Sequence, residues 1–214
     1  MSGTRLSDSD ISATSSQLNG PSSTGGAVLL AAGFSRRFGS VKLAARLPDG
    51  DTLFARTLRN LLAAAPEVIV VGRAELAQQG VYEDVQSADP RRVKLVMCSQ
   101  AEEGMGRTLA TGASHIPAHW PSCLICLADM PYIATETYRE ILQHCAPDTI
   151  VIPSFQGRRG HPIGFGQRFF EELQNCQGDT GARNLLSSRP DAIRPLPVND
   201  PGILQDIDQP DDLA

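Results

Sequence analysis

Apolar residues along this chain fall in short runs separated by segments of helical period. AVLLAA at 27–32, EVIVVG at 67–72, VKLVMCS at 93–99, SCLICLA at 122–128 and DTIVIPSF at 148–155 are rich in aliphatic and β-branched residues and predict buried strands. Between them, LFARTLRNLLAAA at 53–65 spaces its apolar positions with helical periodicity, which predicts a helix capped by Asp51 or Thr52. ETYREILQHC at 136–145 predicts a further helix, with Thr135 positioned to cap it. This alternation predicts an α/β fold with a mostly parallel central sheet and helices on both faces. Ligands of such sheets bind beyond the carboxyl ends of the strands, so the chemistry is expected in the loops that follow strands.

Composition narrows the class. Residues 1–25 are mostly Ser, Thr, Gly and Asp with isolated Leu6, Ile11 and Leu18, too little apolar surface to order a segment, so a disordered tail is expected there and one folded domain over 26–214. A secretory signal would need a basic start and a continuous apolar stretch, and the tail has neither. The chain has 214 residues, 41% apolar and 20% charged, which suits a single core. A formal charge of −5 argues against nucleic acid as the main partner, because a phosphate-neutralising surface carries a Lys/Arg excess. No apolar run approaches the roughly 20 residues that span a bilayer, so no membrane partner is expected. The five cysteines form no regular framework, which fits a reducing, cytoplasmic location. Cys123 and Cys126 make a C-x-x-C, but on a strand residues three apart face opposite ways, so these read as buried strand thiols and not a metal or redox pair.

The distinctive residues do follow strands. VLLAAGFSRRFGSVKL at 28–43 leaves a strand through Ala31-Ala32-Gly33 and runs into Ser35, Arg37, Gly39 and Lys42. Gly33 and Gly39 permit close approach of backbone amides to a phosphate, and Arg37 and Lys42 bring charge for a triphosphate. The segment is neither a P-loop nor a G-x-G-x-x-G fingerprint. Without further context, it also reads as a solvated basic loop. CLADMP at 126–131 delivers Asp129 from a buried strand, where it could hold Mg²⁺ against a triphosphate or simply serve a turn. In QDIDQPDDL at 205–213, a strand would point Asp206 and Asp208 the same way. Asp208, just before Gln209-Pro210, reads as the cap of a short last helix, which leaves Asp206 as the metal partner. EEGMGRTLATG at 102–112 is a glycine-rich turn entering a helix, where Gly104 and Gly106 could press backbone against a base or ribose beside Thr108. QGRRGHPIGF at 156–165 sets Arg158, Arg159 and His161 on a turn before a strand. GDTGARNLL at 178–186 opens a helix whose Arg183 could meet an anion or pair with Asp179.

The string L-A-A-G-x-S-x-R-x-G-x-x-K, formed by Leu30, Ala31, Ala32, Gly33, Ser35, Arg37, Gly39 and Lys42, resembles the signature of nucleotidyltransferases that consume a nucleoside triphosphate and release pyrophosphate. It is most similar to the molybdenum cofactor cytidylyl- and guanylyltransferase group. L-A-D-M-P resembles that family's metal motif. G-M-G-R-T-L resembles its G-M-G-x-S-L, R-G-H-P and G-D-T-G-A-R match further motifs in order, and D-I-D-Q-P-D-D-L differs from its closing motif only at Gln209. The resemblance implies a Rossmann-like three-layer fold and Mg²⁺ held by Asp129 and Asp206. It implies a nucleotide site on the first loop with Gly104, Gly106 and Thr108, and acceptor contacts from Arg159, His161 and Arg183. Ala32 stands where the guanylyl branch has glycine, so the resemblance points to CTP and to transfer of CMP onto the phosphate of molybdopterin, with a molybdoenzyme or its chaperone as recipient. GTP, another phosphorylated acceptor, or a non-catalytic delivery role are the alternatives. The R-G-H-P segment and the end of the chain at the D-x-D motif speak against the generally longer sugar nucleotidyltransferases.

Overall fold

A computed structural model of the protein describes residues 25–35 and 38–213. Residues 1–24 of the N-terminal tail, and Arg37, lie outside the described residues. In chain order the elements are β1 (Gly26–Leu30), α1 (Leu53–Leu62), β2 (Val68–Gly72), α2 (Ala74–Gln78), α3 (Glu83–Ser87), β3 (Val93–Met97), α4 (Met105–Ala113), β4 (Ser122–Leu127), α5 (Thr135–His144), β5 (Ile150–Phe155), β6 (Arg158–Arg159), β7 (Ile163–Gly166), α6 (Phe170–Gln174), α7 (Arg183–Ser188) and β8 (Ile193–Pro197).

The strands form one sheet in the order β3-β2-β1-β4-β7-β5-β6, with β8 also on β5. β1, β2, β3 and β4 run parallel, β5 and β8 run parallel, and β7 lies antiparallel between β4 and β5. This is the mostly parallel Rossmann-like arrangement. Strand geometry divides the apolar runs between two cores. Ala27 and Leu29 of β1, with Leu124 and Cys126 of β4, meet α1 and α5 on one face. Val28, Leu30, Cys123 and Ile125 meet α4 and α6 on the other. Cys123 and Cys126 therefore do face opposite sides of the sheet, and burial pushes both thiols above the ordinary range. Among the described residues no helix is long and apolar enough to cross a membrane.

The two helices predicted from periodicity form, and their starts differ instructively. Leu53, Phe54, Thr57, Leu58 and Leu61 make the buried stripe of α1, and the Thr52 hydroxyl accepts from Ala55 N at 3.1 Å as its cap. α5 departs from the expectation. Thr135 is already inside the helix and its hydroxyl donates to Asn60 O, while Ala134 precedes it without a capping side chain. The group that meets this helix start is the carboxylate of Asp200, distant in sequence, which accepts from Ala134 N at 2.9 Å and from the Thr137 hydroxyl at 2.6 Å. Residues 205–209 also depart from the expectation, since they form no strand, so alternation gives no guide to where Asp206 and Asp208 point.

Leu124 is fully buried mid-way along β4, paired with Ala27 on one side and Gly164 on the other. Leu124→Ala is expected to cost about 3 kcal/mol, because the sheet cannot close over the void. Urea unfolding of the variant checks this, and a loss below about 1 kcal/mol would mean that the layer relaxes around the site.

Candidate active site

The carboxyl ends of β1 and β4 lie side by side, and the loops leaving them form a cleft of about 390 Å³. That size suits a nucleotide-scale ligand. From the first loop the cleft takes Leu30, Ala32, Gly33 and Ser35. From the turn into α4 it takes Gly104 and Thr108, and Lys42 and Asp129 face it as well. Gly104 has φ of +110°, and a side chain there would strike Asp179 and the Gly178 backbone, so this turn requires glycine.

Three predicted nucleotide contacts lie elsewhere. Ala31 turns into the core, and its carbonyl accepts from the buried Tyr82 hydroxyl at 2.7 Å. Gly106 packs on the Gln177 backbone, and Gly39, at φ of +74°, is exposed outside the lining. A sequence motif does not say which of its residues the folded backbone turns toward the cleft.

Lys42 is the electrostatic centre. Its ammonium donates to Asp129 Oδ2 at 2.7 Å and lies 3.4 Å from Asp208 Oδ1, with its side chain only 12% exposed. Asp208 lines the cleft, whereas Asp206 is exposed and does not. Asp129 Oδ1 is buried and has no hydrogen-bond partner. Such an atom is costly to leave unpaired and suits a ligand or cation. Glu102 and Asp179 also line the cleft, so its described charged groups are four carboxylates and one ammonium. A triphosphate entering such a place meets strong repulsion unless cations accompany it. Among the described residues no group of three or more His, Cys, Asp or Glu side chains could by itself hold a metal. Carboxylate oxygens such as those of Asp129 and Asp208 are the donor type that a hard cation takes together with water and phosphate oxygens.

Helix α1 supports this arrangement from behind. The Thr57 hydroxyl reaches Ala128 O at 3.2 Å, and the Asn60 amide donates to Pro131 O and Ile133 O, so both sides of Asp129 are tied to one helix. The Arg73 guanidinium lies 4.4 Å from the ring centroid of Phe34, a first-loop residue that lines the cleft, and braces that loop.

His161 and Arg183 belong to the same neighbourhood. Burial lowers the His161 pKa below its ordinary value, Asp129 and Asp206 pull it up, and Arg183 adds to the lowering. Its Nδ1 is buried without a partner. The imidazole thus lies within electrostatic reach of Asp129, Asp206 and Arg183. Arg159 is exposed on β6, paired with Ser154. Sequence reasoning did not find Phe34, Glu102, Met105 or Asp208 as cleft residues. Phe34 sits at an unspecified position inside its motif, and Glu102 stands two residues before another, so neither carries a pattern of its own.

A family model described as "MobA-like NTP transferase domain" matches residues 27–193. The chain is 34% identical over 190 residues to "Purine catabolism protein PucB" of Bacillus subtilis (strain 168), covering 86% of this chain and 92% of the relative. It is 23% identical over 152 residues to "Probable molybdenum cofactor guanylyltransferase" of Methanosarcina mazei, covering 70% and 67% of the two chains. Its fold superposes on "A nucleotidyl transferase from Methanothermobacter thermautotroptrophicus" with a TM-score of 0.74 at 21% identity, over 87% of this chain and 93% of that one.

Proposed function

The chain belongs to the MobA-like NTP transferase family, and from that premise we propose that it transfers CMP from CTP to the terminal phosphate of molybdopterin, releasing pyrophosphate. The observation that carries the reading is the Lys42–Asp129–Asp208 cluster at the ends of β1 and β4, with its unpaired Asp129 oxygen facing a nucleotide-sized cleft. Gly33 and Ser35 with Lys42 take the polyphosphate, and Gly104 with Thr108 takes the ribose or base. His161, Arg183 and Arg159 take the acceptor, for which arginine's forked donors suit phosphate and pterin heteroatoms.

Asp129 would hold Mg²⁺ together with an aspartate of the 206–208 segment. Asp206 is the partner that the family resemblance implies, and Asp208 is the one nearer Lys42. A divalent cation there would offset charge building on the bridging and pyrophosphate oxygens. An oxygen of the acceptor phosphate bonds to the α-phosphorus as the bond to the bridging oxygen breaks, and pyrophosphate leaves. The acceptor's second pKa is about 6, so it arrives largely as a dianion and needs no general base. His161 is accordingly assigned to binding the acceptor and not to proton transfer.

Pyrophosphate release measured with each nucleoside triphosphate, with and without molybdopterin and Mg²⁺, tests the reading. Release independent of molybdopterin would remove the acceptor from it. GTP is the second reading, favoured by the Methanosarcina relative's description. The description of PucB names neither base nor acceptor, so base choice rests on Ala32, buried at the floor of the cleft. Its methyl group would crowd a purine more than a pyrimidine. CTP is therefore expected to exceed GTP in kcat/KM, and Ala32→Gly to narrow the gap. One methyl group discriminates by about 1–3 kcal/mol. Competition between the two nucleotides decides, and a wild-type preference for GTP would refute the cytidylyl assignment.

A further inference from the structure

We propose that Asp200, which is not among the residues lining the cleft, is a positioning residue that sets the metal-binding geometry through a strap formed by residues 200–208. The proposal rests on the metal reading above. Asp200 is only 8% exposed, and its carboxylate is fully engaged. Oδ1 accepts from Gly202 N at 2.9 Å, within the strap, while Oδ2 accepts from Ala134 N and the Thr137 hydroxyl at the start of α5. One buried charge thus joins the strap to the helix that follows the Asp129 loop. Burying a carboxylate is costly, and three donors together with the positive end of α5 offset that cost.

Beyond Asp200 the strap is stitched to the site itself. Ile203 O accepts from His161 N at 3.0 Å, and Ile207 N donates to Asp129 O at 3.0 Å. Ile203 and Ile207 are buried, which fixes the strap's depth. Asp208 N and Gln209 N then both donate to Asp212 Oδ2 at 2.8 Å. The next side chain after Ile207 is Asp208, the one 3.4 Å from Lys42. Asp200 therefore holds together two segments, one ending at Asp129 and the other at Asp208. Its own side chain touches neither the cleft nor Lys42, so its effect on the metal passes through the strap.

The test compares Asp200→Asn, Thr137→Val and Thr137→Ser with the wild-type chain. An amide at position 200 must turn an NH₂ toward either Gly202 N or the pair at α5, so one side of the joint fails. Thr137→Val deletes one donor with little change of shape, and Thr137→Ser keeps the hydroxyl. Mn²⁺ binding is read by electron paramagnetic resonance with a non-hydrolysable α,β-methylene CTP analogue present, beside melting temperature and amide exchange over 201–208. Groups that orient metal ligands typically change affinity 10- to 100-fold. About 10-fold weaker Mn²⁺ binding is expected for Asp200→Asn and Thr137→Val, with faster exchange in the strap, and near wild-type binding for Thr137→Ser. A lowered melting temperature with unchanged Mn²⁺ affinity would make Asp200 merely structural and overturn the proposal. So would equal binding by Thr137→Val and Thr137→Ser. An inactive wild-type protein that still binds Mn²⁺ with the analogue would overturn the acceptor assignment alone, and the strap is judged in either case by the ratio of variant to wild-type affinity.

Discussion

Asp129→Ala is expected to leave a folded protein whose pyrophosphate release falls by about 10³-fold, the scale of losing a principal electrostatic group from a reacting centre. The fold should survive because the structural links at this position belong to the backbone. Asp129 O accepts from Ile207 N, and the neighbouring carbonyl of Ala128 meets Thr57, neither of which involves the carboxylate. The carboxylate instead has one oxygen on Lys42 and one buried with no partner. Removing it also relieves a negative charge from a cleft whose described charged groups are four carboxylates and one lysine, so a purely electrostatic cleft would bind triphosphate better without it. Lower activity despite easier charge balance would therefore point to metal binding. Turnover and the far-UV spectrum are measured at several Mg²⁺ concentrations. Near wild-type turnover in a folded variant would sink the role assigned to Asp129.

Lys42→Ala is expected to lower kcat by about 10²-fold with a smaller change in KM, equivalent to about 2.7 kcal/mol of transition-state stabilisation. The ammonium is mostly buried and already centred on two carboxylates, so its charge acts at short range with little screening by solvent. Charge on the transferring group and pyrophosphate grows between ground and transition state, which is why a fixed cation beside it should act on kcat more than on binding. Steady-state kinetics with nucleotide and acceptor varied separately provide the check. Unchanged kcat with weakened affinity for molybdopterin would move Lys42 from the polyphosphate to the acceptor.

Much of the scaffold was legible along the chain. Alternation is a property of neighbouring residues, so SCLICLA declared a two-faced strand and the split of Cys123 and Cys126 between the two cores followed from it. The stripe of α1 and its Thr52 cap were local in the same sense. Asp129 at a strand end and Lys42 after a glycine-rich loop were both visible as candidate chemistry. Their meeting at 2.7 Å, across 87 positions of sequence, depends on β1 and β4 becoming neighbours in the sheet.

What only the tertiary structure decided was everything carried by irregular or distant chain. The antiparallel β7 between β4 and β5 leaves no mark on the apolar runs, because a buried strand looks the same in either direction. The side chain that meets the start of α5 is Asp200 and not the adjacent Thr135, since a helix's unpaired amides donate to any carboxylate the fold brings to them. That Asp208 and not Asp206 reaches Lys42 could not be read along the chain, because residues 205–209 have no repeating geometry from which side-chain direction follows. Sequence determines what has a period or a local partner. The pairing of Lys42 with Asp208, 166 positions apart, is set by strand order and by the hydrogen bonds that hold the last segment of chain against the sheet.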